Sequence, residues 1–229
     1  MRQASRQLLV FALASLVVTT TASSQRRFEL ADLGREVAVS SPRLSPDGRS
    51  VAVVTTRVNY ADNRFERTLL LVDVASGSTR ELTPGRRGVG QIEWSPSGDR
   101  LAFLDSQGEQ PPQIYVLPLE GGEAKQVTEA KRGVSSFAWR PDGQLFGYLT
   151  QDEPVEREGE ERHNKSFEVG DNMYLDRAAS LSTHLWTVPV AGGTATRVTS
   201  GVRSVASLDW APDGRSVVLS VRPRPHSGS

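Results

Sequence analysis

The chain has 229 residues, 37% of them hydrophobic and 24% charged, enough apolar side chain to build one large core and too much for a disordered segment. Lysine plus arginine and aspartate plus glutamate each number 27, so the formal charge balances and no polyanionic partner such as nucleic acid is implied. Cysteine is absent, which excludes disulfides, thiolate metal sites and a cysteine nucleophile.

At the start, Arg2 and Arg6 precede the apolar run from Leu8 to Val18, and no acidic residue occurs before Glu29. This is the pattern of a secretory signal peptide. Ala22 and Ser24 supply small residues at a spacing that signal peptidases read, so cleavage is expected before Gln25, with residues 1–24 removed and the chain exported, periplasmic or secreted. An uncleaved anchor is the alternative reading. The apolar run is well short of the ~20 residues of a spanning helix, and no cysteine is present for lipid attachment, so no membrane span is expected after signal removal. Cleavage takes two arginines and leaves 25 basic against 27 acidic residues.

Beyond residue 24 the chain repeats itself. Ser41-Pro42-Arg43-Leu44 leads into the turn Ser45-Pro46-Asp47-Gly48, then Val51–Thr55, a polar loop, Thr68–Val74, Ser76-Gly77-Ser78 and Thr79–Thr83. The same order returns as Gln91–Trp94, Ser95-Pro96-Ser97-Gly98, Leu101–Leu104, Gln113–Leu117 and Ala124–Thr128, and again as Ser136–Trp139, Arg140-Pro141-Asp142-Gly143, Leu145–Leu149, His184–Val188 and Ala195–Thr199. A fourth unit opens with Ser207–Trp210 and Ala211-Pro212-Asp213-Gly214. The prolines are 50, 45 and 71 residues apart, so the repeating object is a whole supersecondary unit.

Each unit predicts four short strands. Proline presets φ at the second turn position, aspartate hydrogen-bonds local backbone, and glycine accepts the positive φ that restarts the strand. Valine, isoleucine, leucine and aromatic residues between Gly-rich turns suit strands, and helix has little room. Trp94, Trp139 and Trp210 hold one equivalent position, with Leu44 in the first unit, and are expected to pack between adjacent sheets.

Tandem four-stranded units of about 45 residues predict an all-β fold, a partial β-propeller of three full units and half of a fourth. The units span about 37–84, 85–130, 131–200 and 201–221 within a propeller region of residues 25–221, followed by an irregular tail, 222–229. Four blades is the smallest ring, so closure within this chain is not expected, and an unpaired sheet edge is expected near Ser216 to Val221, prone to pairing with another chain.

The third unit carries an insertion from Gln151 to about Ser182. Asp152, Glu153, Glu156, Glu158, Glu160, Glu161 and Glu168 stand there against Arg157, Arg162 and Lys165. It reads either as a solvated surface loop or as an element that reaches a neighbouring domain, a substrate or the ring entrance, with Phe167 and Tyr174 as anchors. Catalytic patterns are missing. No Gly-x-Ser-x-Gly elbow occurs, and His163, His184 and His226 lack metal-ligand spacing. His184 is expected at the start of a strand beside Trp186 without a catalytic role. No catalytic, cofactor-binding or metal-ligating residue and no cofactor is assigned.

The repeated Trp-Ser-Pro-x-Gly pattern, as in Trp94 to Phe103, resembles the WD40-like repeats (PD40, TolB type) of the TolB and prolyl oligopeptidase groups. The opening, Asp32-Leu33-Gly34-Arg35 through Gly48, then Thr56-Arg57-Val58-Asn59 and Asn63-Arg64, resembles the start of an acylaminoacyl-peptidase or dipeptidyl-aminopeptidase-like enzyme of the prolyl oligopeptidase (S9) family. The charged insertion and the strand Leu185-Trp186 to Gly193 extend that likeness. The resemblance implies a propeller that precedes an α/β-hydrolase domain with a Ser-Asp-His triad and gates peptide access to it. The hydrolase domain is absent from these residues, so none of the family's catalytic residues has a counterpart and no catalytic activity is expected of this chain alone. Implied partners are peptide substrates or that hydrolase domain, and the odd tail suggests a truncated frame or gene fragment. The alternative is a stand-alone TolB-like periplasmic module that binds other proteins.

Overall fold

The computed structural model describes residues 27–84, 86, 88–154 and 181–222. Three four-stranded antiparallel sheets follow one another along the chain, each with its strands in sequence order, and a two-stranded sheet comes last. The first sheet holds β1 (Val37–Leu44), β2 (Ser50–Asn59), β3 (Arg64–Asp73) and β4 (Thr79–Glu81). The second holds β5 (Ile92–Trp94), β6 (Arg100–Asp105), β7 (Gln113–Pro118) and β8 (Lys125–Gln126). The third holds β9 (Ser136–Trp139), β10 (Leu145–Gln151), β11 (Thr183–Pro189) and β12 (Thr196–Arg197), and the fourth β13 (Ser204–Trp210) and β14 (Val217–Arg222). These meandering sheets are propeller blades.

The strand boundaries differ from the sequence expectation in the first blade. The stretch 56–67, expected as a polar loop, is mostly strand: Thr56 pairs with Arg67, Arg57 with Glu66, Val58 with Phe65 and Asn59 with Arg64. Asn59 bonds to Asp62 and Glu66, and Arg64 pairs with both carboxylates, so polar cross-strand contacts replace apolar burial as the reason for pairing. β1 also starts earlier than expected, and an irregularity between Ser40 and Arg43 accommodates Ser41 at φ 52°. One helical turn, α1 (Leu30–Leu33), precedes it, its first turn closed by the Glu29 amide donating to Asp32.

The repeated turns form as their residues dictate. Gly48, Gly98, Gly143 and Gly214 have φ between 66° and 75°, and each amide donates to the residue three positions back. Asp47, Asp142 and Asp213 accept from the amide two residues on. In the second turn Ser97 stands in for aspartate, and Asp99 takes over by accepting from Ser95 and Ser97 hydroxyls.

The apolar cores lie between sheets. Ala52, Val54 and Leu69 of the first sheet pack with Ile92, Leu101, Phe103 and Tyr115 of the second. The other side of the second, Ala102, Leu104, Ile114 and Val116, packs with Phe137, Trp139, Phe146 and Val188 of the third. Leu149 and Leu185 then meet Val205, Leu208, Val217 and Leu219 of the fourth. Strand alternation thus gives every interior sheet two apolar faces. The tryptophans lie in these seams, as expected: Trp94 donates Nε1 to the Arg43 carbonyl at 2.8 Å, and Trp210 lies over Gly147.

The first strands of successive sheets touch, β1 with β5 and β9 with β13, whereas the fourth strands are only two or three residues long. The first strands therefore form the inner edge of the arc. Among the described residues, β14 pairs only with β13, which leaves the free edge expected there.

Candidate functional site

Two polar regions stand out against these apolar seams. The first is at the inner edge, where the residue before each tryptophan position is Arg43, Glu93, Ala138 or Asp209. Gln91 stitches two blades together here, donating Nε2 to the Phe137 carbonyl at 2.8 Å and to Glu93 at 2.9 Å. Burial pushes the Glu93 carboxyl up, and the Gln91 amide and the Arg43 charge only partly offset this, while Asp209 adds to it.

The sign of the linkage follows. A carboxyl raised in the folded state favours folding below its ordinary range, and that contribution is lost as pH rises through the folded value. Glu93→Gln is therefore expected to melt higher than the parent chain at neutral pH, with the difference vanishing near about pH 4. Thermal melts at both pH values check this, and equal melting temperatures at neutral pH would contradict it.

The second region is the stem of the charged insertion. Asp152 donates its amide to the Ser182 carbonyl at 2.8 Å and Gln151 donates Nε2 to the Leu181 carbonyl at 3.2 Å, so the chain leaves and re-enters the blade at one closed point. Arg197 holds Asp152 at 3.1 Å, and Lys131 and Arg132 of the preceding connection reach Glu153 and Gln151. Beside this stem a groove of about 920 Å³ opens between the second and third sheets, lined among others by Thr128, Lys131, Tyr148, Trp186 and Arg197. A smaller groove, about 540 Å³, occupies the equivalent place between the first and second sheets. Both exist because the outer strands are short and radiating sheets diverge.

His184 lies where it was expected, in β11 opposite Thr150, and is fully buried. Its Nδ1 is 3.2 Å from the Thr199 hydroxyl, and its Nε2 is 3.3 Å from Asp152 without hydrogen-bond alignment. The second blade shows what this position does. Gln113 fills it there, accepting from Thr128, whose hydroxyl oxygen also receives the Ile114 amide, as Thr199 receives that of Leu185 and Thr83 that of Leu69. The histidine thus closes a repeated threonine latch on the outer strand. His184→Gln is expected to cost less than about 1 kcal/mol and His184→Ala about 2–3 kcal/mol by denaturant unfolding. Equal losses would remove the latch role.

Sequence reasoning placed His184 in its strand but did not connect it to Asp152, 32 residues away, or Asp152 in turn to Arg197, contacts that arise only through sheet pairing. Phe167, Tyr174, His163, His226 and the glutamates from Glu156 to Glu168 lie outside the described residues. No group of three or more His, Asp or Glu side chains among the described residues is placed to hold a metal ion. No helix among them is long and apolar enough to cross a membrane.

No family model matches the chain. The Bacillus subtilis (strain 168) protein named uncharacterized peptidase YuxL is 28% identical over 90 residues, which make up 39% of this chain and 14% of YuxL. Uncomplexed acylaminoacyl peptidase from Pyrococcus horikoshii superposes with a TM-score of 0.57 at 22% identity, covering 82% of this chain and 28% of that one. TolB from Acinetobacter baumannii superposes with a TM-score of 0.56 at 21% identity, covering 84% of this chain and 39% of TolB. The chain spans well under half the length of each of these proteins. It is a β-propeller similar in fold to those of acylaminoacyl peptidase and TolB, and a distant sequence relative of the YuxL peptidase.

Proposed function

We propose that this chain is the non-catalytic propeller portion of an exported serine peptidase of the prolyl oligopeptidase family, gating the access of peptides to a hydrolase domain outside these residues. The observation that carries the reading is the sequence match to YuxL, because the propeller fold is shared equally with TolB. The closed stem at Asp152 and Ser182, which lies beside an inter-blade groove, supports it as well, since the charged insertion read from the sequence begins and ends there. The sequence supports export through its residues 1–24, with Gln25 the expected first residue of the exported protein.

Reading the coding DNA beyond codon 229 tests the proposal. Further Ser-Pro-Asp-Gly units followed by a Gly-x-Ser-x-Gly elbow support it. If no blade or elbow follows in any frame, the peptidase reading falls and a TolB-like binding module takes its place. The 229 residues alone are expected to leave an acylaminoacyl anilide unhydrolysed, and turnover by them would overturn the non-catalytic assignment.

A further inference from the structure

The connection from one blade to the next is itself repeated, as Thr83-Pro84-Gly85-Arg86-Arg87-Gly88-Val89 before the second sheet and Thr128-Glu129-Ala130-Lys131-Arg132-Gly133-Val134 before the third. The threonine latches fix the register, since the Thr83 and Thr128 hydroxyl oxygens receive the Leu69 and Ile114 amides, so Arg86 and Lys131 are equivalent. The two cations nevertheless go different ways. Arg86 turns inward over a cross-strand aromatic pair, 4.4 Å from the Tyr115 ring centroid and 5.8 Å from that of Phe103, and donates Nη2 to the Ala124 carbonyl. Lys131 turns outward, 74% exposed, to Glu153.

The third sheet repeats the aromatic pair that Arg86 covers. Strand register puts Tyr148 in the place of Phe103, Trp186 in that of Tyr115 and Ala195 in that of Ala124. All three pack on the seam between the second and third sheets and line its groove. No guanidinium or ammonium of a described residue lies over the Tyr148 or Trp186 ring. The groove is about 920 Å³ there, against about 540 Å³ in the seam that holds Arg86. The Tyr148 hydroxyl, in a side chain 3% exposed, has no hydrogen-bond partner among the described residues.

The acid is arranged differently in the two seams. Asp105, which meets Arg86, stands opposite Gln113, whereas Thr150 holds that place opposite His184. Carboxylates line the rim of the larger groove instead. Asp152 and Glu153 carry their own cations, Arg197 and Lys131, and Glu129 is exposed with no ion-pair partner among the described residues.

We infer that the groove between the second and third sheets binds a guanidinium group of another molecule, the arginine side chain of a peptide, laid over Trp186 and Tyr148 as Arg86 is laid over Tyr115 and Phe103. Ala195 supplies the carbonyl that Ala124 supplies to Arg86, and Glu129 supplies the charge. Tryptophan presents the strongest cation-binding face of the aromatic side chains. A planar guanidinium stacks on such a face and sheds water more readily than an ammonium, so arginine is preferred over lysine. The inference stands independently of the peptidase reading, which downstream sequence decides.

Proton–nitrogen NMR of the labelled chain tests it, because its four tryptophans give four indole N–H signals. Titration with Nα-acetyl-arginine amide is expected to move the Trp186 signal, identified by its loss in Trp186→Leu, and to saturate with a Kd of about 1 mM. Nα-acetyl-lysine amide is expected to bind about ten-fold more weakly. By calorimetry, Trp186→Leu is expected to weaken arginine binding about ten-fold or more, and Glu129→Lys about five-fold at low salt and less at high salt. No saturable shift up to about 20 mM, equal affinity for the two amides, or an affinity unchanged in both variants overturns the inference. Circular dichroism confirms that each variant folds. Should Trp186→Leu fail to fold, Trp186→Phe replaces it for the assignment, and the exposed Glu129→Lys decides whether the site is this groove.

Discussion

Arg86→Ala is expected to lower stability by about 3–5 kcal/mol, enough to unfold much of a marginal domain. Asp105, at the end of β6, is 1% exposed, and Arg86 Nη1 meets its Oδ2 at 2.6 Å. Among the described residues the other carboxylate oxygen is buried without a hydrogen-bond partner, so Arg86 is the cation that balances this aspartate there. The guanidinium also lies 4.4 Å from the Tyr115 ring centroid and donates to the Ala124 carbonyl at 3.3 Å. Removing it leaves a carboxylate in an apolar seam with no other described cation paired to it to balance its desolvation.

Two comparisons make the number meaningful. Arg86→Lys retains the charge but not the planar fork, and an intermediate loss is expected. Lys131→Ala breaks a pair at 2.8 Å whose side chains are 74% and 57% exposed, and a change within about 1 kcal/mol is expected, because water screens it. Denaturant unfolding of the three variants reads these differences. If Arg86→Ala and Lys131→Ala shift the midpoint equally, the burial argument is wrong.

Gly133→Ala is expected to cost about 3 kcal/mol or more, for two separable reasons. Its φ of 75° is strained for any side chain, and a Cβ would lie 2.9 Å from Pro111 Cβ and from Pro112 Cδ. Two consecutive prolines cannot swing aside, and the Val134 amide bonds to the Pro112 carbonyl at 2.7 Å, which holds the contact in place. Gly77 has a similar φ of 69° but nothing within 4 Å, so Gly77→Ala should show the conformational part alone, about 1 kcal/mol. The difference between the two melting shifts measures the steric part, and no difference would mean the Pro111-Pro112 contact yields freely.

The blades were legible because their determinants are local. A Ser-Pro-Asp-Gly turn specifies its own hydrogen bonds, and a five-residue apolar run beside it has few alternatives to a strand, so Leu101–Leu104 and Leu145–Leu149 were assigned without reference to the rest of the chain. The extension of β2 and β3 through Asn59 and Arg64 was not legible, because polar residues pair there through one another's side chains rather than by an apolar period. The stem at Asp152, His184 and Arg197 was partly legible: the strands that end at Gln151 and begin at Thr183 follow from their apolar runs, yet nothing in the spacing of those residues announces that sheet pairing brings them together.

By itself the amino-acid sequence determined the repeat, its strands and turns, the placement of its tryptophans and the missing nucleophile elbow, since each follows from residue type over a few neighbouring positions. Only the tertiary structure decided that the turns stack glycine on proline and that Arg86 neutralises Asp105. Those facts depend on distances between residues tens of positions apart, which the packing of one sheet on the next sets and no local pattern encodes.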